Sequence, residues 1–152
     1  PRKLWSAQVG SGMSSPVVWG DHVFLTSAVS AGQEAAPVKG LYDPGDEHGK
    51  TKAAAEHRWI VYDVDVTTGK IRWTRELQVG NPPILRHLKN SFASETPTTD
   101  GERVYVFFGA IGLVAALDFT GRVVGVARGL QKGIDVFVHR LARRRGKGVS
   151  HE

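Results

Sequence analysis

The chain has 152 residues, 41% of them hydrophobic, which is enough for one domain with a core. It has no cysteine, which excludes disulfides, thiolate metal ligands and a cysteine nucleophile, and it has no apolar run of about 18 residues, which excludes a helical membrane span. The formal charge of +5 is unevenly placed: residues 1–125 carry thirteen Lys/Arg and thirteen Asp/Glu, so the excess lies in residues 126–152 and the basic pI is no argument for nucleic-acid binding by the body of the chain.

In chain order, Val17 to Trp19 is a short β-type run, Gly20-Asp21 a turn, and His22 to Ser27 the next strand, rich in aromatic and β-branched residues. A polar insertion over residues 28–57 follows. Trp59 to Val66 predicts a third strand, Thr67 to Lys70 a turn, and Ile71 to Leu77 a fourth strand. A second polar stretch, Gln78 to Ser94, leads to Thr98-Thr99, an Asp100-Gly101 turn and a strand from Arg103 to Phe108. Gly109 to Gly112 reads as a β-turn, Leu113 to Asp118 as a strand, Thr120-Gly121 as a turn, and Arg122 to about Ala127 as a closing strand. Glycine in these turns permits the positive φ that tight hairpins need. The end of the chain differs. Ile134, Phe137, Val138 and Leu141 recur at helical spacing, with Arg140, Arg143, Arg144 and Arg145 around them, which predicts a basic amphipathic helix over residues 130–145.

Two phrases recur. Ser15-Pro-Val-Val-Trp-Gly-Asp-His-Val-Phe-Leu25 returns as Thr96-Pro-Thr-Thr-Asp-Gly-Glu-Arg-Val-Tyr-Val106. Asp65-Val-Thr-Thr-Gly-Lys-Ile-Arg-Trp73 returns, one residue shorter, as Asp118-Phe-Thr-Gly-Arg-Val-Val-Gly125, with Gly125 where the closing Trp belongs. A repeated set of four short strands describes a propeller blade. With their order Ser/Thr-Pro…Gly-x-Val-aromatic, then Asp-x-x-Thr-Gly-Lys-x-x-Trp, the phrases resemble the pyrroloquinoline-quinone (PQQ)-type β-propeller repeat over about residues 4–124. The resemblance implies an all-β chain: a partial propeller of about two four-stranded antiparallel blades, at residues 14–77 and 95–127, plus one leading strand around Trp5. It also implies a periplasmic or secreted protein, although no signal-like segment is visible at Pro1.

The motif residues have plain physical tasks. Thr68-Gly69 and Thr120-Gly121 make turns, Asp65 and Asp118 accept hydrogen bonds from turn amides and hydroxyls, and in the family the motif Trp, here Trp73, packs between adjacent blades. These seven residues therefore read as fold residues rather than cofactor ligands. The break at Gly125, where a Trp codon read one base late would give Gly, coincides with the onset of Arg-rich sequence, and points to a reading-frame change that makes residues 125–152 foreign to the repeat.

Candidate chemistry is sparse. Asp43, Asp46, Glu47, His48 and His57 have metal-binding side chains, but their spacing fits no known metal loop and a solvated polar loop is the stronger reading. His87, Lys89, Asn90 and Glu95 flank the second blade and form a possible surface site, against a reading as loop-to-blade hydrogen bonds. No phosphate loop and no nucleophile elbow is present, and no catalytic residue is assignable. The leading functional expectation is a binding or assembly scaffold that meets protein partners through propeller loops, with no cofactor assignable. A fragment of a quinoprotein dehydrogenase using PQQ and calcium is the first alternative, and a truncated product without function of its own the second. The Arg143-Arg-Arg-Gly-Lys147 run is read as a solvated or out-of-frame end rather than a nucleic-acid or lipid site.

Overall fold

The computed structural model of the chain describes residues 2–33, 50–51, 53, 55–87 and 89–129. The helix expected over residues 130–145 and the side chains of Asp43, Asp46, Glu47 and His48 lie outside the described residues.

The described chain is all-β, with two four-stranded antiparallel sheets. The first contains β1 (Val17–Trp19), β2 (His22–Ser30), β4 (His57–Asp65) and β5 (Ile71–Gly80), paired in that order. The second contains β7 (Thr98–Thr99), β8 (Arg103–Phe108), β9 (Leu113–Asp118) and β10 (Val123–Arg128), again in chain order. A third pairing joins β3 (Lys50–Thr51) to β6 (Arg86–His87). A single 3-10 turn, Gly109–Ile111, connects β8 to β9 and closes on Gly112 in the left-handed region.

Strand alternation decides which face each side chain takes. On the first sheet, Phe24, Trp59 and Val61 point toward the second sheet, which answers with Val104, Val106, Phe108, Leu113, Ala115 and Leu117. Phe92 and Ala93, from the segment that joins the sheets, complete this main core. The opposite face of the first sheet carries Val23, Tyr62 and Val64, covered by Trp5, Ala7 and Val9. The layers therefore run from the N-terminal segment to the first sheet and then the second.

The structure corrects the sequence reading at four places. The leading strand is not formed: residues 2–10 belong to no strand. That segment is held through side chains instead, with Trp5 Nε1–H donating to the Val66 carbonyl at 2.8 Å and Gly10 N–H donating to the Tyr62 hydroxyl at 3.2 Å. The insertion does not begin at Ala28 or end at His57, because β2 and β4 stay in register as far as Ser30↔His57. The small side chains of Ser27 and Ala28 permit this by fitting inside the sheet, where the hydroxyls of Ser27 and Tyr62 lie 3.0 Å apart. Finally, β5 continues past Leu77 to Gly80, the residue that pairs with His57, and the stretch 78–94 contains the two-residue β6.

Core and edge positions should respond very differently to truncation. Leu117→Ala, at a fully buried site between the sheets, is expected to cost about 3 kcal/mol. Val126→Ala, on the exposed outer strand, should change stability by no more than about 0.5 kcal/mol. Chemical denaturation of the two variants checks the difference.

Candidate functional site

The chemistry of the repeated phrases lies along the seam between layers. In the first turn, Asp65 Oδ1 accepts from the backbone N–H of Thr67 at 3.0 Å, from Thr68 N–H at 2.8 Å and from the Thr68 hydroxyl at 2.9 Å. In the shorter second turn, Asp118 Oδ1 accepts from Thr120 N–H at 3.0 Å, from the Thr120 hydroxyl at 2.6 Å and from Arg122 N–H at 3.0 Å. Deleting one residue thus shifts the backbone donors and keeps the carboxylate clamp. These bonds favour the ionised acid and hold both carboxyls down at about 2. The Thr68 amide and hydroxyl are the main cause for Asp65, and the Thr120 hydroxyl for Asp118.

Each clamp presents a glycine to a tryptophan from the preceding layer. Gly69 has φ 72° and Gly121 φ 81°. A Cβ on Gly69 would lie 2.5 Å from the Trp5 ring, and one on Gly121 2.7 Å from the Trp73 ring. Both indoles also donate: Trp5 Nε1–H to Val66 O, and Trp73 Nε1–H to Phe119 O at 2.9 Å. A third indole, Trp19, covers Gly101 in the same close manner. The seven motif residues thus sit in turns and at layer contacts.

Between these contacts lies a charged row absent from the sequence reading. Asp63 is fully buried at 0% exposure, and its Oδ2 accepts from His22 Nδ1–H at 2.7 Å. Asp63 Oδ1 is also buried and has no hydrogen-bond partner among the described residues. The His22 ring lies parallel to Phe24, with centroids 5.6 Å apart, and tilts against Phe119, in the turn after β9, at 4.9 Å. Its Nε2 faces Asp21 Oδ1 at 3.4 Å. Arg72 then joins Asp21 to Asp65, 2.6 Å from Asp65 Oδ2. Burial pushes the Asp63 carboxyl above the usual range, opposed by the His22 hydrogen bond, and Arg72 holds Asp21 below it. One sequence signal was available: Trp59, Val61 and Asp63 are spaced by two, which places an acid on the core face of β4. Its partner, 41 residues away, had no local signal.

The four residues read as a surface site lie in and beside the segment that joins the two sheets. Asn90 Oδ1 accepts from Ser91 N–H at 3.1 Å and from the Ser94 hydroxyl. Glu95 accepts from Gly109 N–H at 3.0 Å and Ser94 N–H at 3.2 Å. His87 Nδ1 accepts from Lys89 N–H at 3.1 Å. These bonds shape the segment between the sheets. His57, the described member of the proposed metal cluster, is fully buried; its Nδ1–H donates to Ala55 O at 2.8 Å and its ring meets the edge of Phe92 at 4.9 Å. No group of three His, Asp or Glu side chains among the described residues is arranged to hold a metal, and no described helix is long and apolar enough to cross a membrane.

Comparison of the sequence with protein-family models and with curated proteins finds no match.

The carboxylates set opposing pH dependences. Asp65 and Asp118 contribute stability that is full above about pH 4 and is lost as pH falls toward 2, because their folded values lie below the ordinary 3.8. Asp63 runs the other way: its folded value is raised, so its contribution is present at low pH and is lost as pH rises through that value. Thermal melts across pH 2–8 should therefore show a flatter acid limb in Asp118→Asn, whereas Asp63→Asn should gain stability at neutral pH and little at acid pH.

Proposed function

We propose that this chain is part of an extracytoplasmic β-propeller built from PQQ-type repeats, and that it serves as a binding or assembly scaffold. The observation that carries the reading is the repeated layer contact: Trp5 covers Gly69, and Trp73, at the end of one repeat, covers Gly121 in the next. Two four-stranded antiparallel sheets in chain order, each with an Asp–Thr–Gly turn between its last two strands, fit blades placed side by side. Such stacking makes each unit depend on its neighbour for burial. The motif carboxylates are engaged by their own turns, which leaves a structural role as their simplest use. Protein partners would meet the loops that join the strands, and a periplasmic or secreted setting follows from the resemblance alone.

The reading is tested against a quinoprotein dehydrogenase by adding PQQ and calcium to the purified chain. A scaffold leaves the absorbance of PQQ and the melting temperature of the protein unchanged. A saturable spectral shift with a rise in melting temperature would replace the scaffold reading with the enzymatic one.

A further inference from the structure

We propose that His22 and Asp21 form an open binding site for a divalent transition-metal ion, oriented from behind by Asp63. The inference rests on the charged row itself and does not depend on the propeller reading.

The tautomer comes first. The Asp63 carboxylate accepts from Nδ1, so in the neutral ring the proton sits on that nitrogen and Nε2 carries the lone pair. Asp21 Oδ1, another acceptor, lies 3.4 Å from Nε2. Two acceptors at this distance repel unless a positive charge lies between them, which the second proton of an imidazolium supplies in acid and a metal ion can supply in its place at neutral pH. The separation also suits a chelate. Zinc binds imidazole nitrogen and carboxylate oxygen at about 2.0–2.2 Å in tetrahedral geometry, which sets two donors about 3.3–3.5 Å apart. Imidazole with carboxylate favours zinc, copper or nickel over calcium or magnesium.

The surroundings point the same way. A metal-binding histidine characteristically gives its second N–H to a carboxylate, which fixes the ring and makes the ligand more basic. Asp63 does this from a fully buried position, with Oδ1 lacking a partner among the described residues. Phe24 and Phe119 hold the ring from two sides, so little order is lost on binding. Asp21 and Asp65 share the single positive charge of Arg72, which leaves an excess of carboxylate beside His22. Arg72 steadies the far oxygen of Asp21 and leaves Oδ1 toward His22. The Asp21 side chain is 61% exposed, so water can complete the coordination. The site has two protein donors and a carboxylate behind one of them, a composition that suits reversible binding.

The test is a titration of the intact chain with zinc chloride, followed in the imidazole nitrogen NMR spectrum, which separates His22 from the other five histidines. The expected result is a saturable shift of His22 Nε2 that magnesium does not produce. Asp63→Asn should weaken the affinity about 10–100-fold while leaving the metal on the same nitrogen. Asp21→Asn should weaken it about tenfold or more by replacing a charged carboxylate ligand with a neutral amide oxygen. His22→Gln should abolish the zinc-dependent rise in melting temperature that belongs to this site. An Nε2 resonance indifferent to millimolar zinc, or an affinity at His22 unchanged in Asp21→Asn, overturns the proposal.

Discussion

The contact between Trp73 and Gly121 is the constraint on which the arrangement of the two sheets depends. The turn between β9 and β10 must place a left-handed residue directly under an indole, and only glycine does so without a Cβ entering the ring. The ring then occupies the rim of the main core beside Phe24, and its N–H is satisfied by the Phe119 carbonyl. Apolar burial, a donor and a backbone conformation are joined in a single contact. Arg75, donating to Gly121 O at 2.8 Å, and Arg128, reaching Gln78 at 2.6 Å, reinforce the same seam from its polar side.

Repetition explains why the same device appears more than once. Trp5 stands to Gly69 as Trp73 stands to Gly121, and the phrases that precede them also meet: Ser15 N–H donates to the hydroxyl of its counterpart Thr96 at 3.2 Å. The second repeat then departs from the scheme. Its strand β10 carries Gly125 at the position of the indole, next to a register shift between Val123 and Gly125. The strand still pairs as far as Arg128↔Leu113, because backbone pairing does not need the indole. What Gly125 removes is the means of covering a further turn.

The parts legible in the sequence are those encoded locally. The bounds of β8 and β9 follow from clean alternation between Arg103 and Asp118, and the positive φ of Gly69, Gly101 and Gly121 follows from Asp-Gly and Thr-Gly between apolar runs. Where small residues carry the strand, as at Ser27 to Ser30, the pattern resembles a loop, and only pairing with β4 shows otherwise. The leading strand failed for the complementary reason: Trp5 supplied a strong motif signal, but its role needs the indole alone. The Asp63–His22 pair was the least visible feature. It is made by register across β2 and β4, so neither residue marks the other in the chain. Asp63 takes the core face that Trp59 and Val61 define, and Ala116 takes the equivalent position of the second repeat. The charged row therefore belongs to the first repeat and is no part of the repeat pattern.

A double-mutant cycle between Trp73→Ala and Gly121→Ala tests the central contact most directly. Gly121→Ala in the otherwise natural chain meets both the indole and an unfavourable φ, at a cost of about 2–4 kcal/mol. With Trp73 already removed, only the backbone strain of about 1–2 kcal/mol should remain. The account predicts a coupling of at least about 1 kcal/mol by urea denaturation, with the second mutation far cheaper in the absence of the indole. Costs that add to within about 0.5 kcal/mol would contradict it, because Trp73 would then not be what fixes the Gly121 turn.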